Sequence, residues 1–93
     1  MRFVLANIEI KNLDGTDMVE ADGKLTADIL KKSLPQIIYN NTKKIGTLVV
    51  AQSLYTNSES EVNEEQKTDI EEIITGLNYP AIFTQAILKA FID

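Results

Sequence analysis

The chain has no cysteine and no histidine. The first absence removes disulfides, thiolate nucleophiles and zinc–thiolate clusters, and the second removes the commonest general base and the commonest metal ligand. No G-x-S-x-G elbow and no P-loop occurs, so the remaining serines and lysines lack the surroundings that mark a nucleophile or a phosphate cradle. Long apolar runs are missing too. None approaches the 18 or so residues needed to span a bilayer, and the opening Met1-Arg2-Phe3-Val4-Leu5-Ala6-Asn7 turns polar too early for a signal-peptide core. The expectation is a cytoplasmic protein with no membrane contact and no cofactor.

What is present is an ordinary globular mixture. Ninety-three residues, 44% hydrophobic and 25% charged, suit one folded domain. A chain of this size buries only about 60–65% of its unfolded surface, which leaves little depth for a catalytic cleft in a monomer. The net charge of −5 disfavours nucleic acid, since backbone affinity comes from Lys and Arg neutralising phosphates. The charge is also uneven. Residues 26–56 set Lys31, Lys32, Lys43 and Lys44 against Asp28, a local +3, and residues 57–76 set seven acids against Lys67, a local −6.

The pattern predicts an α+β fold: an N-terminal β-hairpin followed by three or four short helices in a single small domain, residues 1–93. Val4, Ala6, Ile8 and Ile10 alternate as the buried face of a strand, Asn12 to Thr16 carries turn chemistry, and Thr16 to Glu20 returns antiparallel. Ala21 to Lys24 is a second turn. Thr26 is a fair N-cap for a helix carrying Ile29, Leu30, Leu34, Ile37 and Ile38. Pro35 requires that helix to kink or to restart with Ser33 as cap. Gly46 marks a break, and Thr47 to Thr56 reads as a helix, with Val49-Val50 leaving a strand as the alternative. Residues 57–61 read as a loop. Asn63 and Gln66 form a capping-box signature for a helix with Ile70, Ile73, Ile74 and Leu77 inside and Gly76 as its stop. Pro80 opens a last helix running through Ile82, Phe83, Ala86, Ile87, Ala90 and Phe91.

Asp14, Asp17, Glu20 and Asp22 could in principle hold a hard cation, but the spacing departs from an EF-hand, with Leu25 at its twelfth position, and solvated turn carboxylates are the better reading. Glu64, Glu65, Glu71 and Glu72 belong to an acidic band and form a candidate partner surface. Capping and dipole preference account for much of that band. Lys31-Lys32 and Lys43-Lys44 read as solubilising lysines. Tyr39, Tyr55 and Tyr79 each place a ring at the core boundary, where tyrosines also serve as interface anchors. The last helix is apolar on two sides, so Leu88, Phe91 and Ile92 are either core or a candidate oligomer seam.

The segments Ile8 to Gly15, Ile37 to Thr42, Ala51 to Tyr55 and Glu64 to Ile74 together resemble, in element order and turn placement over most of the chain, a class of small uncharacterised phage and prophage proteins. The resemblance implies a bacterial, phage or mobile-element origin and assigns no activity to any residue. The sequence therefore points first to a non-enzymatic protein-interaction domain with an unknown partner. A homo-oligomeric structural or assembly protein is the alternative, and a small ligand-binding domain or enzyme using carboxylates is the third reading.

Overall fold

A computed structural model describes residues Met1–Asp93. Three short strands, β1 (Arg2–Val4), β2 (Glu59–Glu61) and β3 (Phe91–Ile92), form an antiparallel sheet in the order β2-β1-β3. Four helices, α1 (Thr26–Asn41), α2 (Ile45–Asn57), α3 (Glu64–Gly76) and α4 (Ala81–Leu88), complete an α+β domain. Both neighbours of β1 come from distant parts of the chain, with Phe3 opposite Ser60 on one side and Phe91 on the other.

The N-terminal segment differs from simple alternation. A 3-10 turn at Leu5–Asn7 advances the chain out of phase, so that Phe3, Leu5, Ile8 and Ile10 are buried while Val4 is half-buried and Ala6 faces water. The hairpin return survives only as isolated bridges, Lys11 with Asp17 and Val19 with Leu25. Two successive tight turns hold it, in which Asn12 N–H donates to Thr16 and Glu20 N–H to Lys24. Gly15 and Gly23 take φ of 89° and 85° in these turns, a region that side chains with a Cβ resist.

Helix α1 starts with Leu25, not Thr26, at its N-cap, and no side chain caps it. Thr26 lies inside the first turn, where its hydroxyl reaches Glu20. Pro35 neither ends nor restarts the helix: it occupies the buried face beside Leu34 and Ile38, and Ser33 donates to the Leu30 carbonyl instead of capping. Burial of that apolar face, at about 1.5–3 kcal/mol per large side chain, outweighs the one backbone bond that proline removes. Helix α2 absorbs Gly46 and the Val49-Val50 pair into continuous helix. Its end is set by Ser58, whose φ is 64°.

Residues Glu59–Glu61, expected as loop, are the edge strand β2, tied to Arg2 by ion pairs from Glu59 and Glu61. Helix α3 is capped as its sequence predicts: Gln66 N–H donates to Asn63 at 2.8 Å, and Asn63 N–H donates back to the Gln66 side chain at 2.9 Å. It ends at Gly76 as expected, and Asn78, with a φ of 57°, turns the chain left-handed just beyond it. Helix α4 ends at Leu88, short of the predicted Phe91. The chain reverses through Lys89 and Ala90 so that Phe91 enters the sheet. One core joins these elements: Phe3, Leu5, Ile8 and Ile10 meet Leu30, Leu34 and Ile38 of α1, Val50 and Leu54 of α2, Ile70 and Ile74 of α3, and Ile87 of α4.

Candidate functional site

Helix α2 contains no charged residue in its thirteen positions, in a chain of which a quarter is charged. Its inner face, Thr47, Val50, Ala51 and Leu54, is buried. Its outer face holds Ile45, Val49, Gln52 and Thr56 at alternating spacings of four and three, which on a helix places them in one line. Ile45 is 81% exposed and Val49 56%. A helix apolar on all sides is normally covered on all sides. This one is covered on half.

Beside that line runs an open groove of about 320 Å³ between α1 and α2, lined by Pro35, Gln36 and Tyr39 on one side and by Ala51, Gln52, Tyr55 and Thr56 on the other. Tyr55 is 81% exposed and Tyr39 45%, so these rings stand away from the core boundary expected of them. Tyr79 does sit at that boundary, half-buried and 6.0 Å from the Phe83 ring. Tyr39 and Tyr55 thus bracket a groove whose polar groups are the amides of Gln36 and Gln52 and the hydroxyls of Thr56 and the two tyrosines, with no charge among its lining residues.

The four glutamates of α3 fall into two stripes, Glu64 with Glu71 and Glu65 with Glu72, each pair two turns apart. Glu64, Glu65 and Glu72 are exposed and Glu71 is half-buried. Glu65 faces Lys44 at 3.5 Å, so part of the band is paired within the chain. Asp69 lies on the buried side and accepts the Thr42 hydroxyl at 2.6 Å, tying α3 to the α1–α2 connection. Gln66 adds a second tie by donating to the Gly46 carbonyl.

Leu88, Phe91 and Ile92 do not share a helix face. Leu88 ends α4 half-buried, Phe91 packs edge-on against Phe3, and Ile92 lies exposed on the edge strand β3. The N-terminal carboxylates are likewise not gathered. Asp14 accepts the Thr16 hydroxyl and amide, Asp17 pairs with Lys11, Glu20 accepts from Thr26, and Asp22 accepts the Lys24 amide. The hydrogen bonds from Thr16 hold the Asp14 carboxyl below its ordinary pKa, and the bond to Asp17 holds the Lys11 ammonium above its own. No group of three or more acidic, Cys or His side chains is arranged to hold a metal ion. No helix is long and apolar enough to cross a membrane.

No family model, no curated protein and no solved structure matches this chain. The geometry of the α1–α2 face therefore carries the functional argument.

Proposed function

We propose that the protein is a small non-enzymatic interaction domain, and that its working surface is the uncharged outer face of α2 with the Tyr39–Tyr55 groove beside it. One observation carries the reading: the helix presenting Ile45, Val49 and Tyr55 to water has no charged residue along its thirteen positions, whereas α4, the other uncharged helix, exposes one large apolar side chain, Ile82 at 37%. Surface helices are kept soluble by charged side chains, and exposed apolar patches rimmed by polar residues mark interaction sites. Tyrosine adds apolar area with a polar tip and is enriched where binding energy concentrates. The reading shifts the partner surface from the acidic stripe of Glu64, Glu65, Glu71 and Glu72 to the neighbouring helix. The stripe becomes a solvated flank that keeps the domain dispersed. An origin in a phage or prophage, and with it the bacterial cytoplasm, is carried by the resemblance alone.

The test is photo-crosslinking in the cells that make the protein, with a photoreactive residue at position 49 in one variant and at position 64 in another. The reading predicts protein adducts from position 49 and none from position 64. Adducts from position 64 alone, or from neither, contradict it.

A further inference from the structure

We infer that the outer face of α2 takes a second copy of this chain, the two α2 helices packing antiparallel about a two-fold axis. The inference rests on the interaction reading above and names its partner. Three observations lead to it.

The first is area. Tyr39, Ile45, Val49 and Tyr55, at 45%, 81%, 56% and 81% exposed, with the exposed Gln36, Gln52 and Thr56 around them, give the α2 side apolar surface for an interface of standard size, which takes about 800 Å² from each partner. The stripe is also self-complementary. Ile45, Val49, Gln52 and Thr56 repeat at the spacing of a helix–helix seam, and an antiparallel two-fold between Val49 and Gln52 sets each against the other's copy and sets Ile45 against Thr56.

The second is charge. Each copy carries −5, and residues 57–76 carry seven acids against Lys67, so contact through α3 or β2 would oppose like charges. The outer face of α2 brings no charge to the contact.

The third is the helix dipole. Helix α2 has no acidic residue in its first turn, no basic residue in its last, and Lys43 and Lys44 just before its positive end. That is the reverse of what the dipole favours. Lys44 is answered by Glu65, whereas Lys43 makes no ion pair within the chain. Antiparallel pairing brings each N-terminus beside the other copy's C-terminus and puts Lys43 near the carbonyls that end the partner's α2, supplying the cation that end lacks.

The experiment is the mass of the full chain by sedimentation, from micromolar to millimolar, for the unaltered protein and for Val49→Lys, Ile45→Glu and Glu64→Lys, with folding checked by circular dichroism. Twice 10.4 kDa is expected at the upper concentrations. Val49→Lys is expected to weaken association about 100-fold or more by burying an unpaired charge against Gln52 of the partner copy, Ile45→Glu to do so by setting an acid against the carbonyls that end the partner's α2, and Glu64→Lys to leave it in place. Two α2 variants are used so that a folding defect in one leaves the other to decide. A monomer at every concentration, or a dimer that survives both α2 substitutions, overturns the inference. If the protein is monomeric while position 49 still crosslinks to a different chain in cells, self-association falls and the interaction reading stands; if position 49 forms no adduct, both fall.

Discussion

The ring of Phe91 meets the ring of Phe3 edge-on, with centroids 4.5 Å apart, so the last strand of the chain is anchored on the first. Phe3 is completely buried and Phe91 half-buried, and Lys67 lies 5.8 Å over the Phe91 ring from α3. Phe3→Ala is expected to cost about 3–5 kcal/mol, and Phe91→Ala a smaller amount, about 2–3 kcal/mol. Urea denaturation of the two variants checks the order. An unchanged midpoint for Phe91→Ala would remove β3 from the account.

Thr47 is the one buried hydroxyl with no hydrogen-bond partner. A buried polar group left unpaired costs about 1–3 kcal/mol, and valine has nearly the same shape without the hydroxyl. Thr47→Val is therefore expected to raise stability by about 1 kcal/mol, read from the same denaturation curves. A loss of stability would mean that the hydroxyl has a partner.

The capping box of α3 satisfies two backbone donors reciprocally through Asn63 and Gln66. Asn63→Ala is expected to cost about 1 kcal/mol. Adding Gln66→Ala should cost less than the sum of the single changes, because the two residues act as one unit. Strict additivity in the double-mutant cycle would contradict the reciprocal cap.

The first turn carries opposite pH responses on its two sides. Asp14 has its folded pKa below the ordinary 3.8, so its contribution is present above that value and is lost as pH falls through the lower folded pKa. Lys11 has its folded pKa above the ordinary 10.5, so its contribution is present below that value and is lost as pH rises through the higher folded pKa. Both groups are exposed, so the effect on global stability is small. The direct readout is a carboxyl titration by NMR: Asp14 in Thr16→Val should titrate closer to 3.8 than in the unaltered chain. No change would separate the shift from Thr16.

Local signals in the sequence were the reliable ones. The glycines at 15 and 23, the Asn63–Gln66 pair and the α3 stripe of Ile70, Ile73, Ile74 and Leu77 act within a few residues, and the structure uses each of them. Two local readings fail, Thr26 as the cap of α1 and Ser33 as a second cap before Pro35, and the remaining misreadings are non-local. Apolar spacing continues unbroken from Phe83 to Phe91, so nothing in the last helix announces that the chain reverses at Lys89 to reach Phe3. Glu59-Ser60-Glu61 has no strand character of its own and becomes β2 because Arg2 and the β1 backbone lie alongside. The 3-10 turn at Leu5–Asn7 exchanges which of the opening residues are buried, a change of phase that alternation alone does not report. The candidate site was half legible. Tyr55 and Tyr39 could be picked out as anchors, whereas the exposure of Ile45 and Val49 depends on which side of α2 the other helices leave bare.

The central claim is that the outer face of α2 is where this domain meets another chain, and that the other chain is a second copy. NMR shifts followed on dilution test it most directly, because every candidate surface reports in the same spectra. The account predicts concentration-dependent shifts at Ile45, Val49, Gln52 and Tyr55, with Glu64, Glu71 and Ile92 unmoved. Shifts confined to the acidic stripe or to Phe91 and Ile92, or no shifts at any concentration, would contradict it.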